Sequence, residues 1–184
     1  MSRVLVLGLW LIAFAVSAWS QNAIPEPTGY RMQDYRGPTP MSLAGARVVA
    51  TWEVEELRKV GAAFVDVLPH PPRPTNLPPG TIWHEKPRMN IPGSIWLPDT
   101  GYGALAVSTE RYLRNGLARI TQGDQSRWLV FYCQKDCWMS WNAAKRALTM
   151  GYKNVAWYPD GTDGWEASGL PVQQAEPAPP ADTE

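Results

Sequence analysis

Short β-rich apolar runs alternate along this chain with stretches of helical period. Trp128 to Tyr132 (WLVFY) is an apolar run suited to a buried strand. After a sharp turn, Cys137, Trp141, Ala144 and Leu148 recur at helical spacing and form an apolar stripe. Lys145 and Arg146 are expected to face elsewhere, and Gly151 to supply a left-handed cap. Upstream, the pattern predicts a strand at Arg47 to Ala50, a helix at Trp52 to Lys59 capped by Thr51, and an apolar strand from Ala62 to Leu68. A Pro-rich loop runs from Pro69 to Gly80, followed by Ile91-Pro92-Gly93-Ser94, a strand at Ile95 to Leu97 and a helix from about Ser108 to Leu117. Asn154 to Tyr158 closes the series as a strand before the turn Tyr158-Pro159-Asp160-Gly161. Strands alternating with helices predict a single α/β domain, its mostly parallel central sheet flanked by helices on both faces.

The ends read differently. Residues 1–20 have the form of a secretory signal peptide: one charge at Arg3, an apolar core from Val4 to Val16, and Ala18 and Ser20 flanking Trp19 before Gln21. That core is short for crossing about 30 Å of hydrocarbon, so cleavage is expected, with no stable membrane span afterwards and a periplasmic location. Residues 21–42 are punctuated by proline and expected to lie extended over the surface, and the Pro/Ala/Glu-rich tail 171–184 is expected to be disordered. Loss of residues 1–20 leaves 16 basic against 17 acidic residues, a charge of −1, which implies no nucleic-acid partner. Eight tryptophans remain, enough to fill a core or to line an aromatic site.

Both cysteines fall between the apolar run at 128–132 and the helix after it. Cys133 is expected just before a helix N-terminus, where unpaired N–H groups and the helix dipole favour a thiolate. Lys135 reinforces that effect and Asp136 opposes it. Cys133 and Cys137 are four residues apart, about 6 Å between Cα atoms in a helical turn, so a disulfide is feasible. The residues expected around them are Gln134, Lys135, Asp136, Trp138 and Met139, with Asp66 orienting a loop backbone or a neighbouring turn.

In order, Val65-Asp66-Val67, Ile91-Pro92-Gly93-Ser94, Phe131-Tyr132-Cys133, Ala143-Ala144, Gly151-Tyr152-Lys153-Asn154-Val155 and Gly164-Trp165 resemble the rhodanese-like domain, over about residues 43–170. More narrowly, Tyr30-Arg31, Tyr35-Arg36, Trp96-Leu97-Pro98, the run from Cys137 to Arg146 and the run from Trp157 to Trp165 are similar to the periplasmic PQQ-dependent catabolism-associated CXXCW motif family. That resemblance implies an accessory role in alcohol oxidation by quinoprotein dehydrogenases that use pyrroloquinoline quinone (PQQ), with such a dehydrogenase or a cytochrome c as partner.

This chain departs from the pattern in three ways. Three residues rather than two separate its cysteines. Cys137, Trp138 and Met139 occupy the loop in which sulfurtransferases usually carry glycine and arginine, so no loop arginine remains to bind thiosulfate. The usual Asp-Val-Arg is Asp66-Val67-Leu68, and that charge is missing too. Ordinary thiosulfate sulfurtransferase activity is correspondingly disfavoured.

Three readings of the pair stand side by side. In thiol redox or sulfur relay, Cys133 attacks and Cys137 resolves. In copper delivery, Cys133, Cys137 and a histidine, His84 or His70, with Met139 nearby, hold Cu(I). In a binding module, Trp138, Trp141, Trp157 and Trp165 rim a site that stacks a planar quinone or docks on a dehydrogenase, with Trp138 the most exposed.

Overall fold

The computed structural model describes residues 24–180. The signal peptide expected at 1–20 lies outside the described residues. In chain order the elements are β1 (Arg47–Val48), α1 (Thr51–Lys59), β2 (Ala63–Asp66), β3 (Arg88–Asn90), β4 (Ile95–Trp96), α2 (Val107–Thr121), β5 (Leu129–Tyr132), α3 (Trp138–Thr149), β6 (Val155–Trp157), α4 (Gly161–Ala167) and β7 (Gln173–Ala175). Five strands form a sheet in the order β1-β6-β5-β2-β4, with every neighbouring pair parallel. β3 and β7 make a separate antiparallel pair.

Strand residues alternate between the two faces, and each face has its own core. Val65, Leu129, Phe131, Val155 and Trp157 point toward α2 and α3, where Leu113, Leu117, Trp141, Ala144 and Ala147 meet them. Phe64, Val130, Tyr132 and Ala156 point the other way, toward Val54 and Leu57 of α1 and Trp165 of α4. The sheet is thus covered on both sides, as the alternating pattern predicts.

Four local expectations need correction. Ala50 rather than Thr51 is the N-cap of α1; the Glu53 carboxylate accepts the Ala50 N–H at 2.9 Å, while the Thr51 hydroxyl sits 2.7 Å from that of Tyr158. Arg146 does not face away from the core. It is buried, donating to the carbonyls of Thr100, Tyr102 and Gly103, with its guanidinium 4.3 Å from the Tyr30 ring centre. The turn at Tyr158–Gly161 continues into α4, whose Trp165 fills the second core. The tail expected to be disordered is ordered through residue 180: β7 pairs with β3, and the Ala178 N–H donates to the Trp96 carbonyl at 2.8 Å. That contact covers the open edge of β4, and the unpaired backbone groups of an edge strand are a strong reason for a chain to settle there.

Candidate functional site

The C-terminal ends of the parallel strands bring the chemistry together, as open α/β sheets commonly do. Asp66 ends β2, Trp96 ends β4, and Cys133 is the first residue beyond β5. The five residues Cys133 to Cys137 form a tight loop in which Asp136 takes a left-handed φ of +54°. The loop rests against α4: the Cys133 carbonyl accepts the Thr162 N–H at 3.0 Å, and Gln134 pairs with Gly161 in an isolated bridge. Gly161 is required there, because a Cβ would lie 2.5 Å from the Cys133 carbonyl oxygen and the residue's φ is +53°.

Within this loop Cys133 and Cys137 are joined as a disulfide, their Cα atoms 6.5 Å apart. Cys133 is fully buried and Cys137 is 2% exposed. The start of α3 falls at Cys137, which is its N-cap, rather than directly behind Cys133, so the helix-end argument belongs to the second cysteine. In the bonded form neither sulfur titrates. Of the neighbours expected from sequence, Gln134 is half-buried, and Lys135 and Asp136 are exposed. Met139 is buried against Gly101, where a Cβ on residue 101 would lie 2.4 Å from that of Met139.

Trp138 is not the exposed aromatic of a binding rim; it is 3% exposed. Its indole N–H donates to the Pro38 carbonyl at 3.1 Å, the Arg31 guanidinium lies 5.1 Å from its ring centre, and Trp141 stands edge-on to it at 5.6 Å. Trp141, Trp157 and Trp165 are buried too, with their indole N–H groups donating to Ser42, Ser140 and Pro171 respectively. None of these four rings is left with an exposed face to stack a planar quinone. The donor set for copper does not assemble either. The two sulfurs are bonded to each other, Met139 is in the core, His84 is exposed, and His70 is engaged by Glu85 at 2.8 Å and by the Trp96 ring. Among the described residues no group of three or more His, Cys, Asp or Glu side chains could hold a metal ion.

The largest correction concerns charge. Leu68 stands where the family pattern has an arginine, but the charge is not missing, because β3 brings Arg88 to the Asp66 carboxylate. Its Nε donates to Asp66 at 2.7 Å, its Nη2 to the Cys133 carbonyl at 3.3 Å, and its Nη1 lies 3.5 Å from the Thr162 hydroxyl. Asp66 is wholly buried and also accepts the Leu68 N–H at 3.0 Å. Burial pushes the Asp66 carboxyl above its ordinary value, with the Arg88 charge pulling back. One guanidinium therefore ties β2, the cysteine loop and α4 together. Sequence reasoning missed it because Arg88 sits 22 residues beyond Asp66 in a Pro-rich excursion, on a strand whose partner is β7. The only local signal was a lone arginine just before the Ile91-Pro92-Gly93-Ser94 turn. Beside it opens a cleft of about 500 Å³, lined among others by Arg36, His70, Arg88, Trp96, Gln134 and Thr162. It reaches the loop at Gln134, while the sulfurs face the opposite side, in the α2 and α3 core.

Comparison with known proteins agrees with this architecture. Among solved structures, the chain is similar to a thiosulfate sulfurtransferase from Pseudomonas aeruginosa, at 22% identity and a TM-score of 0.51, over 76% of this chain but only 22% of that one. It is also similar to a polysulfide-sulfur transferase homodimer from Wolinella succinogenes, at 16% identity and a TM-score of 0.47, over 72% of this chain and 82% of that one. At 22% identity the first of these likenesses is one of fold alone. No curated protein matches the chain. A family model does, that of the rhodanese-like domain, across residues 53–168. With the parallel sheet, the helices on both faces and a cysteine just beyond the central strand, that match places the chain in the rhodanese-like domain family.

Proposed function

We propose that this rhodanese-like protein is exported to the periplasm and uses its Cys133–Cys137 pair for thiol–disulfide exchange, as an accessory to PQQ-dependent alcohol oxidation. The observation that carries the chemistry is the bonded pair itself, placed in the loop beyond β5. An incoming thiolate attacks one sulfur, the S–S bond breaks, and the other sulfur leaves as a thiolate. A second thiol of the donor then resolves the mixed disulfide. The donor loses two electrons and the pair gains them. A domain of this size has a core of its own and does not need a five-residue clip to fold, which supports a chemical use for the pair.

Sulfur relay ends in the same disulfide. If Cys133 carries a persulfide, the Cys137 thiolate attacks its inner sulfur, the outer sulfur leaves as hydrosulfide, and Cys133–Cys137 forms. The alcohol-oxidation setting rests on the resemblance of the Cys137–Arg146 and Trp157–Trp165 stretches, and the periplasmic setting on the form of residues 1–20. PQQ itself belongs in this reading to the partner dehydrogenase.

The test is the intact mass of the native protein isolated from periplasm without reductant. The expected chain begins near Gln21 and is either two hydrogens lighter than the dithiol or heavier by one sulfur. Two free, unmodified thiols, or a retained leader, would contradict the reading.

A further inference from the structure

The outer side of the cysteine loop is covered by the chain's own N-terminal segment, and the covering is made by backbone. The Trp138 N–H donates to the Tyr35 carbonyl at 2.9 Å, and the Gly37 N–H donates to the Asp136 carbonyl at 2.9 Å. Between these two bonds Arg36 and Cys137 form an antiparallel bridge. Two such bonds around one residue pair are the unit of an antiparallel ladder, which any extended chain can make whatever its side chains. Side chains secure the strap further. Arg36 donates to the Gln134 amide oxygen at 3.3 Å, and upstream the buried Asn142 both accepts the Arg31 N–H and donates to the Arg31 carbonyl, at 2.9 Å each. Cys137, which the strap pairs with, and Cys133 are both shut off from solvent.

We propose that Tyr35–Gly37 is the internal occupant of a peptide-binding position beside the disulfide, and that the exchange partner is an extended segment of a thiol-bearing protein which takes its place. This rests on the exchange reading above and names the class of partner. When the strap lifts, the Trp138 N–H and the Asp136 carbonyl lose their partners. An arriving polypeptide re-forms both bonds while it presents its thiol; a small soluble thiol forms neither. The strap therefore selects for proteins and against small thiols. Two cysteines of the partner supply the two electrons and the two protons, so the partner ends as a disulfide and Cys133 and Cys137 end as thiols.

The test compares two reductants at equal thiol concentration on the mature protein: dithiothreitol, and a short unstructured peptide carrying two reduced cysteines. The peptide is expected to reduce the pair faster than dithiothreitol. Gly37→Pro removes the N–H that bonds Asp136 and is expected to speed reduction by dithiothreitol about fivefold, the effect of one lost hydrogen bond on strap opening, with the fold retained by circular dichroism. Equal dithiothreitol rates in the two proteins, or dithiothreitol outpacing the peptide on the unsubstituted protein, would overturn the proposal. A second readout needs no variant: a peptide with serine in place of both cysteines should strip hydrogen-exchange protection from the Gly37 amide while the Trp138 amide stays protected. Undiminished protection at Gly37 under saturating peptide would also overturn it. Failure of the underlying exchange reading looks different, because then neither reductant reduces the folded pair in either protein.

Discussion

Replacing Arg88 by methionine is expected to destabilise the domain by about 3–5 kcal/mol, the usual consequence of removing one partner from a buried ion pair. The side chains of Arg88 and Asp66 are 8% and 0% exposed, and the pair is closed at 2.7 Å. Methionine keeps most of the volume but leaves the Asp66 carboxylate facing apolar surroundings with only the Leu68 N–H for company. It also removes the donor to the Cys133 carbonyl. The deficit should depend on pH. Burial already holds the Asp66 carboxyl above its ordinary value, with Arg88 opposing. A folded-state value above the unfolded one makes the group's contribution to stability full in acid and progressively lost as pH rises through the folded value. Without Arg88 that value climbs further, so the variant's deficit is greatest near neutral pH and shrinks as pH falls toward the ordinary carboxylate range. Urea unfolding of both proteins at about pH 7.5 and about pH 5 reads this out. A deficit that stays constant between the two, or that is below about 1 kcal/mol, would show that the pair is not the tie described here. The double variant Asp66→Asn with Arg88→Met should recover part of the loss, since it removes the stranded charge.

Cys133→Ser is expected to abolish function while leaving the fold in place. The position is fully buried, and serine is close in size to cysteine. The Cys133 sulfur lies 3.4 Å from the Cys137 carbonyl oxygen, which gives a serine hydroxyl an acceptor to donate to. The disulfide closes a loop of only four residues' separation, so its loss costs about 2 kcal/mol on the chain-entropy account, a fraction of a typical domain's stability. What the substitution removes entirely is one of the two sulfurs that the proposed exchange with a donor requires. Circular dichroism and the unfolding midpoint check the fold. Growth on an alcohol substrate of a strain carrying only the variant checks the function, with Cys137→Ser in parallel. Full growth of the Cys133→Ser strain would remove the pair from the mechanism, whereas loss of growth together with loss of the fold would show a static clip.

How much of this was legible beforehand follows the range of each interaction. β2, β5, β6 and the helix after Cys137 declare themselves by local apolar pattern, and Gly151 takes the left-handed φ of +96° its position suggests. The single α/β domain and the juxtaposition of Cys133 and Cys137 were equally readable, because both come from residues close in sequence. The rest is non-local. Nothing in Arg88-Met89-Asn90 announces a strand, since its partner is Gln173-Gln174-Ala175. Nothing in the pattern of α3 shows that its outer face is covered as well as its inner one. Arg31, Pro38 and Ser42 reach Asn142, Trp138 and Trp141 across about a hundred residues of chain, as does the 101–103 turn onto Arg146 across some forty. Hence Trp138 looked like a rim and Arg146 like surface. For the same reason a proline-punctuated N-terminal segment that read as passive chain turned out to pair with the backbone of the cysteine loop.

The central claim is that Cys133 and Cys137 interchange between disulfide and dithiol in the folded protein. The most direct measurement equilibrates the native protein against dithiol/disulfide buffers of graded potential, traps free thiols by alkylation and reads intact mass, with circular dichroism on the same samples. A single two-electron transition is expected, reached from both directions with the fold retained throughout. Cysteines that become alkylated only once the protein unfolds would contradict it, and would make the disulfide a fixed part of the architecture.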